Sequence, residues 1–234
     1  MEYLVAENRR QAGRATTVID ARGKRVVVMG GGDTAADCVA TALRQGASKV
    51  IQIGIRPMNP RQRPERRPWP LHPHLYEPSY AIEEGGIEEF SLDTIEFLDQ
   101  HGTGAVDTLA AERVWWTFDD ADCRVSRTVI ASGQRIAADL VLIAIGFSGP
   151  QLDGLETVGL HLTAHGNIET GTDMMTNVES VFACGDARRG QSIVVWAIGE
   201  GRDAARQIDS YLMGESKLPA SLQSRNPPTE EPTL

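Results

Sequence analysis

The sequence predicts an α/β fold with a central parallel sheet and a β-meander inserted into it. Three observations carry that prediction. The run Arg25-Val26-Val27-Val28-Met29 shows no polar alternation, which suits a strand buried on both faces of a parallel sheet. It stops at Gly30-Gly31-Gly32, and the apolar period then turns helical, with Ala35, Val39, Ala42 and Leu43 at i, i+4, i+7 and i+8. Gly46 is placed to end that helix, and residues 49–55 read as a second short strand. Strand, glycine turn, helix, glycine and strand make one βαβ unit of about 30 residues.

The remaining elements follow in chain order. Residues 3–14 read as a short helix ahead of the unit. Residues 56–80 hold seven of the twelve prolines, which excludes regular helix or central strand and leaves a long loop. Residues 87–145 are strand-rich, with strands expected at 88–98, 113–118, 127–130 and 140–145, the last an apolar run closing on Gly146. A short strand at 181–184 leads into Gly185-Asp186. A helix over 192–212 is expected to turn Val195, Ile198, Ala205, Ile208 and Leu212 inward. Residues 217–234 carry four prolines and little apolar content, and read as a disordered tail.

Composition bounds the function classes. The 234 residues are 41% hydrophobic and 24% charged, the usage of a globular chain able to build a core. Acidic residues outnumber basic ones 32 to 23 for a net charge of −9, which argues against generic nucleic-acid binding. No run approaches the ~18–20 apolar residues of a membrane helix, and MEYLVAENRRQAG lacks the apolar segment of a secretion signal. Cys38, Cys123 and Cys184 are far apart and form no CxxC, against a disulfide framework or a four-cysteine iron–sulfur cluster. A cytoplasmic protein without nucleic-acid or membrane partners is expected.

The chemistry begins at Gly30-Gly31-Gly32-Asp33-Thr34-Ala35, which fits G-x-G-x-x-A. The first glycine permits a tight turn, and the second lets backbone approach a pyrophosphate. The small last residue lets the helix pack closely, and the helix N-terminus offers N–H groups to the anion. The motif follows a strand, opens a helix and precedes a strand, which is the context it requires; an ordinary glycine-rich turn is the alternative. The second strand ends at Ile53-Gly54-Ile55-Arg56-Pro57 without the acid that would bind the ribose 2′-OH of NAD. Instead Arg56, Arg61, Arg63, Arg66 and Arg67 stand against Glu65 alone. That segment is +4, which leaves −13 for the rest of a chain whose net charge is −9. It reads as a clamp for the 2′-phosphate of NADP(H), with a solvated arginine loop or an acidic-partner surface as the alternative. Gly185-Asp186 before a long helix is, taken alone, an ordinary turn. His72 and His74 lack a third ligand in sequence reach and read as loop residues, so no metal site is expected.

Six segments together resemble the small (β) subunit of NADPH-dependent glutamate synthase, of the two-dinucleotide-binding flavin oxidoreductases. They are 30–38 (GGGDTAADC), 41–46 (TALRQG), 68–70 (PWP), 79–84 (SYAIEE), 139–147 (DLVLIAIGF) and 181–202 (VFACGDARRGQSIVVWAIGEGR). The resemblance runs from the first residues to about Gly214. It implies a Rossmann-like NAD(P)-binding domain at 21–146, an incomplete C-terminal part of an FAD-binding domain at 147–214, an FAD-domain remnant or linker at 1–20 and the tail at 215–234. It places Gly30, Gly31, Gly32, Asp33 and Thr34 at the NADPH pyrophosphate, and Arg56 and Arg63 at the 2′-phosphate. Ala144, Ile145 and Gly146 fall where two domains meet. Gly185 and Asp186 are implied to contact the ribityl-pyrophosphate of FAD, and Gln191, Ser192 and Ile193 the flavin ring.

The family's cysteine-rich iron–sulfur region and first G-x-G-x-x-G unit have no counterpart in these residues. The implied activity, transfer of hydride from NADPH to FAD with electrons passed on for glutamate synthesis, therefore depends on a missing flavin half, from a longer parent or from a partner chain. That partner is the glutamate synthase large subunit or a chain supplying the FAD-binding and iron–sulfur half. Hydride transfer is the cofactors' own chemistry, so no catalytic acid or base is expected in this chain. Two other readings stay open: a non-catalytic NADP(H)-binding module, and a reductase that takes free flavin. Without its FAD core the chain would expose Val194, Val195, Trp196 and Ile198, which favours a covering partner or a homo-oligomer.

Overall fold

Val26, Val27 and Val28 are fully buried, and they show why this strand carries no polar face. In the computed structural model, which describes residues 1–15, 19–65, 68–69, 73–118 and 124–221, the chain forms two compact units, Met1–Ile145 and Gly146–Leu234. The first contains α1 (Glu2–Gln11), β1 (Arg25–Met29), α2 (Asp33–Arg44), β2 (Lys49–Ile53), α3 (Tyr80–Glu83) and β3 (Ile87–Glu89). It continues with β4 (Leu92–Leu98), β5 (Thr108–Phe118), β6 (Arg124–Ala137) and β7 (Leu140–Ile143). The second contains α4 (Asp186–Arg189) and α5 (Val194–Met213).

The first unit has two sheets. One is parallel in the order β3-β2-β1-β7, the other a three-stranded antiparallel meander β4-β5-β6. Side chains alternate along a strand, so β1 serves two cores at once. Val26 and Val28 pack with Tyr3, Ala35, Val39, Ala42 and Leu142 on the helical side. Val27 packs with Ile51, Ile53, Leu92, Leu109 and Ala111, joining the parallel sheet to the meander. Each such valine contributes roughly 1.5–3 kcal/mol by leaving water. At the amino end of the sheet Arg25 grips Asp139 through its backbone N–H (2.8 Å) and guanidinium (2.9 and 2.5 Å), which fixes β1 against β7.

The α/β class, the βαβ unit and the inserted meander all stand. Four details differ from the sequence expectation. The strand expected at 88–98 is two strands in two sheets: β3 extends the parallel sheet beside β2, and β4 opens the meander. The break falls at Ser91, whose φ is +56°, although neither Gly nor Pro marks the corner. Backbone bonds hold it there, with Ser91 N–H donating to the Arg56 carbonyl (3.0 Å) and Leu92 N–H to the Gly54 carbonyl (3.0 Å). The strands expected at 113–118 and 127–130 are the second half of β5 and an inner stretch of β6, because β5 and β6 pair along most of their length.

In the second unit the strand expected at 181–184 is reduced to a single bridge between Met175 and Phe182. The expected inward face of the last helix is also corrected. α5 buries Gly199, Glu200 and Ala204, while Val195, Ile198, Ala205, Ile208 and Leu212 are exposed. Small residues and one carboxylate face the rest of the unit because that side grips a loop. Beyond α5, Ser216 bonds to Asp209 (2.5 Å) and Ser221 to Asp203 through its N–H (2.8 Å) and hydroxyl (2.5 Å).

Candidate functional site

The carboxyl ends of β1, β2 and β7 meet at one edge, with Met29 level with Ile53 on one side and Ile143 on the other. The chain order reverses here, since β1 leads to β2 on one flank and has β7 on the other. Such switch points open a crevice in which doubly wound sheets bind ligands. Gly30 lies at its base with φ +127°, and a Cβ there would strike the Ala144 carbonyl. Only glycine meets both conditions. The turn is sewn to β2 by two bonds, Gly30 N–H to the Ile53 carbonyl (3.0 Å) and Gln52 Nε2–H to the Gly30 carbonyl (2.9 Å).

Gly31, Gly32 and Asp33 are exposed, and space is open beside the α-carbons of both glycines. The Gly32 carbonyl accepts from Ala35 (2.9 Å) and Ala36 (3.1 Å) as α2 begins. The first N–H groups of that helix therefore have no intrahelical acceptor, and the aligned dipoles leave about half a positive charge there. Arg56 and Arg63 are exposed in the loop that leaves β2 at this edge, and Ala144 closes it with its N–H on the Met29 carbonyl (2.8 Å). Arg66, Arg67, His72 and Cys123 lie outside the described residues.

The second unit carries the other expected residues. Gly185 is buried with φ +63°, and its N–H donates to Glu200 Oε2 at 2.9 Å. That amide is therefore already engaged, and what Gly185 contributes is the turn itself. Asp186 beyond it is exposed, with its Oδ1 accepting from Ser192 N–H at 3.3 Å. Glu200, 4% exposed, also accepts from Arg188 (3.1 Å) and Arg189 (2.8 Å). Arg189 then lies 4.4 Å over the Trp196 ring. Gln191, Ser192 and Ile193 are exposed at the approach to α5. Gln191 Oε1 accepts from Phe147 N–H (3.2 Å), and its amide fills the space beside Gly146, whose φ is +109°.

Two residues of these networks were missed from sequence. Gln52 is the one polar residue inside the core of an apolar strand, and Glu200 stands between two glycines in 197–201 (AIGEG). A buried polar group in such company signals a backbone partner. Among the described residues no group of His, Cys, Asp or Glu is arranged for a metal, and no helix is long and apolar enough to cross a membrane.

Comparison with known proteins agrees with this architecture. Residues 101–201 match the family described as pyridine nucleotide-disulphide oxidoreductase. The thioredoxin reductase of T. acidophilum superposes with a TM-score of 0.53 at 21% identity, over 82% of this chain and 54% of that one. FprA, a Mycobacterium tuberculosis oxidoreductase, gives 0.58 at 16% identity, over 85% and 56% respectively. The chain thus shares the fold of the matched halves of these two proteins. In sequence the chain is related to the glutamate synthase [NADPH] small chain, as its motifs imply. The Mycobacterium tuberculosis relative is 44% identical over 98% of this chain and 47% of its own length. The chain spans about half the length of that relative.

Proposed function

We propose that this chain is the pyridine-nucleotide portion of an NADPH-dependent flavin oxidoreductase of the glutamate synthase small-subunit type. One observation carries the reading: a glycine turn that tolerates no Cβ sits at the switch point, and the loop leaving the adjacent strand is rich in arginine. The residues at this edge suit the dinucleotide by their chemistry. Gly31 and Gly32 leave room for the pyrophosphate, the N–H groups of Gly32, Asp33 and Thr34 face its charge, and Arg56 and Arg63 take the 2′-phosphate. In the second unit Asp186 accepts from the hydroxyls of the flavin's ribityl chain, and Gln191, Ser192 and Ile193 border the ring. When bound, the cofactors supply the redox chemistry themselves, a hydride passing from reduced nicotinamide to flavin. The partner is the large subunit or a chain carrying the FAD-binding and iron–sulfur half, and the setting is cytoplasmic.

Titration of the chain with NADPH and NADH tests the assignment. Arg56→Ala or Arg63→Ala should weaken NADPH binding about tenfold or more while leaving NADH unchanged, the size of one charge-assisted bond to phosphate. If neither variant is selective, the clamp is wrong.

A second reading is a module that binds NADP(H) without turnover, and in either reading the start of α5 calls for a cover. Ile193, Val194, Val195 and Ile198 there are 58–69% exposed, an apolar patch of the kind that partners cover. Flavin absorbance and NADPH oxidation separate the two. The purified chain should retain no FAD by itself and should oxidise NADPH once a chain supplying the FAD half is added. If it remains inactive in that mixture, the module reading holds.

A further inference from the structure

The loop that carries the arginines is long, and among its described residues Tyr76 ties it at several points. Tyr76 N–H donates to the Pro60 carbonyl at 3.0 Å, which closes the loop on itself. The Tyr76 hydroxyl donates to Glu88 Oε2 at 2.7 Å. Its ring meets Phe90 edge-on, with centroids 5.8 Å apart and an 83° angle between planes. Across the ring face lies the Arg61 guanidinium, 5.5 Å from the centroid. Glu88 belongs to β3 and pairs with Gln52 of β2, and Phe90 follows at the strand exit. Tyr76 thus clips the returning arm of the loop to the sheet, and its backbone and ring hold the outgoing arm through Pro60 and Arg61. Arg56 is held separately, by the bond from Ser91 to its carbonyl.

We infer that Tyr76 is the positioning residue of the arginine loop and so a determinant of discrimination between dinucleotides with and without a 2′-phosphate. The inference rests on the reading that Arg56 and Arg63 grip that phosphate. The physical reason is pre-organisation. The glycine turn serves NADPH and NADH alike, because both carry the pyrophosphate. A loop that must be ordered on binding charges its entropy only to the ligand that uses it, the one bearing the phosphate. Fastening the loop in advance therefore raises selectivity without changing the shared part of the site. Arg61, held over the ring, serves the clip.

The test uses the full chain titrated with NADPH and with NADH, the readout being the ratio of the two dissociation constants. Tyr76→Ala should lower the preference for NADPH about fivefold to tenfold, the size of ordering one or two long side chains. NADH binding should stay within about twofold, which a merely structural defect would not spare. Tyr76→Phe keeps both ring contacts and loses the Glu88 bond, and should lower the ratio about threefold, less than the truncation because the ring still orders part of the loop. If Tyr76→Ala does not fold, Tyr76→Phe decides. An unchanged ratio in whichever folded variant decides overturns the inference. If Arg63→Ala lowers the ratio and Tyr76→Ala does not, only the role of Tyr76 falls. If the wild-type chain shows no preference for NADPH, the clamp reading falls with it.

Discussion

Gly30 combines a backbone angle that L-residues avoid with a neighbour that leaves no room for a methyl group. Gly30→Ala should therefore destabilise the first unit by about 1–3 kcal/mol and abolish measurable NADPH binding, checked by urea unfolding and by titration. Glu200 is a buried carboxylate with an amide and two arginines around it. Its removal leaves the Gly185 N–H buried without an acceptor, while the partly exposed arginines turn to water, so Glu200→Ala should cost about 1–3 kcal/mol in the second unit, with Glu200→Gln costing less. Titration of the chain follows the same logic. Arg25 holds Asp139 down to about 2, and Arg10, with Gln11 and Gln45, holds Glu7 down to about 2. Both sit below their unfolded values near 4. Their contribution is complete above about pH 5 and is lost as pH falls from about 4 to about 2. Acid unfolding of the first unit should fall in that window, and Asp139→Asn should flatten it.

At the scale of elements, the corner between β3 and β4 shows backbone geometry overriding local preference. Residues 88–98 read as one strand because no Gly or Pro interrupts them. Hydrogen bonds from Ser91 and Leu92 to the carbonyls of Arg56 and Gly54 turn the chain from one sheet into the other. Ser91→Val should cost about 1–3 kcal/mol, since a β-branched residue is strained at φ +56°, whereas Ser91→Gly should not destabilise. Thermal melts of the two variants check this. α5 teaches the converse lesson. Its apolar residues recur at helical spacing, and that periodicity marks a stripe without saying what faces it. Here the buried side is Gly199, Glu200 and Ala204, and the stripe points outward.

Across the whole molecule, charge is divided unevenly. An arginine-rich loop stands on a chain of net charge −9, which steers an anionic ligand toward one edge of the first unit. The exposed start of α5 supplies the other large-scale feature. Lysine at both Val194 and Ile198 should abolish NADPH oxidation in the mixture with an FAD-bearing partner chain while leaving NADPH binding to the first unit intact.

The α/β class, the glycine turn, the helix that follows and the arginine loop were all legible in the sequence. Each depends on contacts between near neighbours: strand burial on both faces, a helical period, the absence of an acid after the second strand. The identity of Gln52, Tyr76 and Glu200 as fasteners was not legible. Their partners lie 22, 12 and 15 residues away respectively, at Gly30, Glu88 and Gly185. Nor does sequence say which side of α5 is buried. The sequence by itself determined where the glycine turn and the start of α2 fall, because both are local structures. Only the tertiary structure decided how that turn and the arginine loop are held in place, because hydrogen bonds across the sheet exist only once distant strands have met.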